Sequence, residues 1–287
     1  MGTSTSSSGS GANVPFIPPW ENKLQSLPIG SGEISYPPPD DKVEEEPVDT
    51  PDVADHESLD GIAPPRRYAN ARRELRNYAE SSEKSHFRKA VGSFSKVGSG
   101  GAKKTARKMK TSTRAATNLL SLLVSLRDGN NESVNNWAQK LLKSKPSASE
   151  IIDAIISETT TSGGTVDEES IKNSMSFALS ELIKKDENID LFSMSDNNIW
   201  NLIELYLSNE VKNKLIHEIG QLFEGSKNIP SSSMKNINMM RQYLQSEISE
   251  QLSELRKGIS NPSTKQFQKI MDKALENTFI VYEGALQ

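Results

Sequence analysis

Few residues in this chain are equipped for catalysis; what could do chemistry is an N-terminal glycine and a crowd of cations. The histidines are His56, His86 and His217. No two of them stand in the H-x-x-x-H spacing that sets a pair of ring nitrogens on one helix face, so nothing points to a zinc site. There is no cysteine, which removes disulfides, thiolate nucleophiles and sulfur ligands for metals. The adjacent carboxylates Glu168-Glu169 and Asp186-Glu187 fall at expected helix ends, where dipole and solvent account for them. Glycines precede Lys104-Thr105, as in a phosphate-binding loop, but the G-x-x-x-x-G-K-[ST] spacing is absent and no apolar strand leads in. The expectation is a chain with no catalytic residue, no metal site and no cofactor.

Gly2 carries the sharpest chemical signal. A residue this small after the initiator Met permits removal of the Met, leaving an unhindered amine on a flexible tether that can reach another protein's active site. Met1-Gly2-Thr3-Ser4-Thr5-Ser6 also fits the loose myristoylation pattern M-G-x-x-x-[ST]. One such chain binds membranes only marginally, and no basic patch flanks Gly2 to assist it.

Charge is strongly segregated. Residues 1–65 carry 2 basic and 12 acidic side chains, residues 66–114 carry 15 basic and 3 acidic, and the whole chain is only −4. Arg66, Arg67, Arg72 and Arg73, then Lys103, Lys104, Arg107 and Lys108, are the candidate contacts of the basic block. Three readings stand: a clasp with the acidic stretch of the same or another chain, phosphates of a nucleic acid, or a protein partner. Tyr68, Tyr78, Phe87 and Phe94 lie between the cations and would be available to stack on bases.

These residues need elements to position them. Four segments are expected. Residues 1–20 form a Ser/Gly tail, disordered when free because small residues bury too little surface to offset chain entropy. It runs into Val14, Pro15, Phe16, Ile17, Pro18, Pro19 and Trp20, a stiff apolar segment suited to docking in a groove. Residues 21–65 form an acidic, proline-rich linker with Tyr36-Pro37-Pro38-Pro39 and Glu44-Glu45-Glu46. Residues 66–114 form the basic segment, helical from Tyr68 to Arg88 and again from Ala102, with Gly92, Gly98, Gly100 and Gly101 opening the chain between.

Residues 115–287 read as helix throughout. Leu119, Leu122, Leu123 and Leu126 make one face. Asp128-Gly129-Asn130-Asn131 ends that helix, and Val134, Trp137, Leu141 and Leu142 repeat the pattern. Ser147 with Glu150 and Thr165 with Glu168 are capping boxes. Ile199 to Leu207 continues through Val211, Leu215, Ile219 and Leu222. Ile237, Met240, Leu244, Ile248, Leu252, Leu255 and Ile259 trace a long seam. Asn261-Pro262-Ser263 starts a last helix with Phe267, Ile270, Met271 and Leu275. No alternating β-branched runs occur. The fold expected is an all-α domain of about six to eight helices behind a long disordered arm. The longest apolar stretch, Leu119 to Leu126, is too short to span a bilayer. A mean hydropathy of −0.58, with no apolar leader, suggests a cytoplasmic protein with no membrane partner.

Met1-Gly2-Thr3-Ser4, the Ser/Gly tract and Val14-Pro15-Phe16-Ile17-Pro18-Pro19-Trp20 together resemble the N-terminal signature of the QatB family. Arg66-Arg67-Tyr68 and the glycine/basic stretch ahead of a helical half are similar to it as well. The resemblance implies a component of a bacterial anti-phage defence system that works beside an ATPase, a QueC-like protein and a TatD-like nuclease. QueC-type enzymes activate a carboxylate on a deazaguanine and join it to an amine. The expectation that follows is attachment of such a group to Gly2, with Thr3, Ser4 and the Pro15–Trp20 cluster as recognition elements.

Overall fold

A computed structural model describes residues 66–286 apart from 162–163, 187, 222–229, 258 and 260–261. The expectations for Gly2, Thr3, Ser4, the Val14–Trp20 segment and the acidic linker lie outside the described residues. Among the described residues every regular element is helical. They are α1 (Ala69–Ser81), α2 (Lys84–Ser93), a π-helical turn (Phe94–Ser99), α3 (Ala102–Lys108), α4 (Lys110–Asp128), α5 (Glu132–Lys143), α6 (Ala148–Thr159), α7 (Val166–Lys185), α8 (Asp196–Ile219), α9 (Pro230–Arg256) and α10 (Thr264–Gly284).

The all-α expectation holds, with more helices than the six to eight expected because two predicted helices are split. The stretch from Tyr68 to Arg88 breaks at Ser82, which turns left-handed (φ 59°) while its N–H donates to the Tyr78 carbonyl. The stretch from Ala102 breaks at Met109. Chain opening also differs from expectation. Helix runs straight through Gly92, the π-helical turn spans Gly98, and only Gly100 and Gly101, at positive φ, leave the helical path. Gly92 and Gly98 serve contact instead. A Cβ on Gly92 would lie 2.4 Å from the Tyr282 carbonyl oxygen, and one on Gly98 would lie 2.3 Å from the Tyr68 ring.

Helix termini follow their sequences. Ser147–Glu150, Thr165–Glu168 and Ser263–Gln266 close reciprocal capping boxes, and Gly129 ends α4 in the left-handed region, which glycine enters without the strain a Cβ would bring.

Helix α8 is the centre, packed by α4, α7 and α9. Residues 206–211 are all buried. Six consecutive residues exceed one turn of 3.6, so this part of α8 has no solvent face. Helix α10 lies against α2, α3, α4 and α9. The boundary drawn at 114/115 falls within α4, and α1–α3 share one core with the helices that follow. Along α9 the seam of Met240, Leu244, Ile248 and Leu252 is buried, but Ile259 lies past the helix end and is 39% exposed. Helix α5 is peripheral: Leu142 is exposed and Ala138 alone is buried. No described helix is long and apolar enough to cross a membrane.

Candidate anionic-partner interface

The cations of residues 66–114 are placed by helices whose other faces are apolar. In α3, Ala102, Thr105 and Ala106 point inward. That leaves Lys103, Lys104, Arg107 and Lys108 on the outer face as two adjacent i, i+4 stripes. The helix is pinned from beneath. The Ser95 hydroxyl lies 3.0 Å from that of Thr105 and donates to the Glu283 carboxylate at 2.6 Å, tying the π-helical turn and α3 to α10. In α1, Ala71, Leu75 and Tyr78 are buried, so Arg72, Arg73 and Arg76 face outward.

Part of this set converges on the last turn of α8. Arg72 donates to the Glu218 backbone carbonyl at 3.3 Å. Arg67 sits 4.9 Å above the Tyr68 ring, which itself stacks on Phe94. Burial, then the positive charge of Arg67, hold the Lys108 ammonium below the usual lysine range; Lys214 and Lys104 act in the same sense and Glu218 against it. Three cations, Arg67, Lys214 and Lys104, thus face Lys108 against one carboxylate, an arrangement that favours an added anion. A helix C-terminus attracts cations through its free carbonyls, which explains why they gather at this end. Lys214 bridges the cluster to α7, 3.7 Å from Glu218 and 3.4 Å from Asp167.

The remaining candidates are spread around this point. Lys103 and Arg107 are exposed and make no ion pair with a described residue. Arg66 is exposed at the entry to α1. Arg73 turns away and pairs with Glu74 at 3.5 Å; Glu74 also lies 2.9 Å from His86, and that hydrogen bond holds its carboxyl below the usual range. His217 is exposed on α8.

One expectation is overturned. Tyr68, Tyr78, Phe87 and Phe94 are all buried and cannot stack on bases. They pack on one another and on neighbouring helices: Phe87 lies 5.4–5.9 Å from the rings of Tyr78, Tyr243 and Tyr282. Burying these rings against one another and against the core removes more apolar surface from water than base stacking at an exposed site would.

Sequence reasoning also missed a polar network inside the bundle. Glu210, 4% exposed, accepts from the hydroxyls of Ser112 (3.2 Å), Ser170 (3.1 Å) and Ser174 (2.7 Å). Ser174 in turn accepts from Asn209 and Asn213, and the Asn209 carbonyl accepts from Lys212 at 2.7 Å. Burial pushes the Glu210 carboxyl up despite its three donors. The network borders a cleft of ≈ 800 Å³ between α7 and α8, lined in part by Ser170, Asn173, Phe177, Glu210 and Lys212. The donors come from α4 and α7, so no local pattern announces them. Lys214 and Glu218 are equally remote from the basic block in sequence.

The family model of the Qat anti-phage system associated protein QatB matches residues 100–282. No curated protein and no solved structure matches the chain.

Proposed function

The chain belongs to the QatB family, and from that membership we propose that it is a non-catalytic subunit of the anti-phage system, modified at Gly2 and acting through protein–protein assembly in the cytoplasm. The family match carries this reading. The chemistry of the N-terminus supports the modification: a glycine amine is unhindered, and a pKa of roughly 8 leaves an appreciable neutral fraction at cellular pH. A QueC-like protein of the same system is the natural donor, attaching a deazaguanine group. Thr3, Ser4, Val14, Pro15, Phe16, Pro18, Pro19 and Trp20 would be what it recognises. The ATPase and the TatD-like nuclease are the further partners this reading implies.

The test is the mass of the N-terminal peptide from protein made together with its system partners, with and without the QueC-like one. A deazaguanine-sized adduct on Gly2 that disappears on deletion is expected. An unmodified glycine in both samples would overturn the reading.

A second reading, nucleic-acid binding by residues 66–114, has one observation in its favour: every cation in the segment except Arg67 is exposed. With the aromatics buried, such binding would run through phosphates, so it should weaken steeply with salt and carry little sequence preference. Replacing Arg67, Arg72, Lys104 and Lys108 together by Gln should flatten the salt slope by roughly 3 to 4 units for duplex DNA. Absence of binding at low salt would end this reading and leave an acidic protein segment as the ligand of the cationic face.

A further inference from the structure

Lys212 differs from Lys214, the other lysine of α8, in where its amine is held. Lys214, two residues on, is neutralised by Asp167 and Glu218. Lys212 has no carboxylate within ion-pair distance; its Nζ donates to the Asn209 side-chain oxygen at 2.7 Å and lies 5.9 Å from the centre of the Phe177 ring. Arg241, from α9, stands 4.9 Å from the same ring, and its Nε is buried without a hydrogen-bond partner. Two cations thus lie against one aromatic ring, and neither forms an ion pair with a described residue. Lys212 is half-buried and is one of the residues lining the ≈ 800 Å³ cleft between α7 and α8.

We propose that Lys212 is an acyl-acceptor site: the cleft presents its amine as a nucleophile to an electrophilic carbonyl carbon, such as an activated carboxyl group. The inference is independent of Gly2. Burial, and then the charge of Arg241, pull the Lys212 pKa down to about 8, so a sizeable share of the amine is neutral near physiological pH. Other charges that face it are Glu210 on its own helix, which opposes the shift, and Asp167, Glu169, Lys214 and His217 along the cleft. Glu210 is not free to bind a ligand, because three hydroxyls fill its acceptor positions; it anchors the Ser174–Asn209 pair that aims the lysine. Phe177 offers a flat apolar wall, and Asn173 and Asn213 offer amide groups. The acyl group that fits is planar and polar and adds no negative charge to a cleft that already carries carboxylates.

In the step itself, the neutral Nζ lone pair adds to the carbonyl carbon and an N–C bond forms. The bond from that carbon to its leaving group breaks, the electron pair departs with the leaving group, and one Nζ proton passes to solvent. The product is an amide.

Trace acetylation of the intact chain with acetic anhydride tests this. Acetate is the leaving group, and site-resolved peptide masses are followed from pH 6.5 to 10. Lys212 should label about ten-fold faster at pH 7.5 than exposed Lys265, with half-maximal rate near pH 8. Arg241→Gln should move that midpoint upward, and Arg241→Lys, which keeps the charge, should leave it in place. Labelling of Lys212 no faster than Lys265 would overturn the proposal and make the lysine a structural member of the network. A midpoint unmoved by Arg241→Gln would overturn the part assigned to Arg241 and leave burial as the cause.

Discussion

Helix α8 handles charge in two opposite ways along its length. At its last turn, Arg72, Lys108 and Lys214 meet Glu218, with Arg67 and Lys104 beside Lys108, at a largely exposed surface. In its middle, Glu210 is sealed among hydroxyls and forms no ion pair with a described residue. The first arrangement costs the fold little, because solvent screens exposed like charges. It is therefore available to a partner. The second must be satisfied from within, since a buried carboxylate stripped of its donors is expensive. One region spends its polarity outward and the other inward.

Substitutions should therefore sort by what they touch rather than by how many charges they change. Phe87 ties α2 to α1, α9 and α10 through three aromatic neighbours. Phe87→Ala should lower stability to urea by about 3–5 kcal/mol, although it lies in the most basic stretch of the chain. Gly92→Ala, driving a Cβ onto the Tyr282 carbonyl, should lose about 1–3 kcal/mol in the same assay. A change below half a kilocalorie at either site would mean the basic segment is an appendage and break the comparison.

Glu210→Gln probes the inward region through pH. The folded carboxyl has a raised pKa, so it binds its proton more tightly than the unfolded chain does. Its contribution to stability falls as pH rises from the unfolded value through the folded one. The Gln variant should therefore be the more stable protein above that window, by less than the loss at Gly92, and the two should converge below it. Unfolding midpoints at pH 4 and pH 8 measure this. Smallest of all, Arg72→Gln with Lys108→Gln should shift stability by no more than about 0.5 kcal/mol, while weakening retention on a polyanionic resin.

The apolar seams and caps were legible because they are local. Leu119, Leu122 and Leu123 share a face by spacing alone, and Ser147–Glu150 or Thr165–Glu168 announce a helix start within four residues. Gly92 and Gly98 were misread as chain openers, since a glycine needed for close approach looks the same in sequence as one needed for a turn. The buried Asn209-Glu210 pair was invisible for a related reason: its partners, Ser112, Ser170 and Ser174, lie 35 to 98 residues away. Exposure of the basic side chains was readable, but their convergence on Lys214 and Glu218 was not. Family resemblance was read from the first twenty residues, whereas the matched stretch is the helical one, residues 100–282.

The enclosure of α8 sets the order in which the molecule opens. Amides on a helix with no solvent face exchange their hydrogens only when the surrounding helices separate, so residues 206–211 should belong to the slowest-exchanging unit, opening at the free energy of global unfolding. Peripheral α5, with only Ala138 buried, should exchange by local fraying. Whatever docks at the end of α8 is thus held by a rigid post, and its capture would register as slower exchange throughout the core, not as the ordering of a nearby loop.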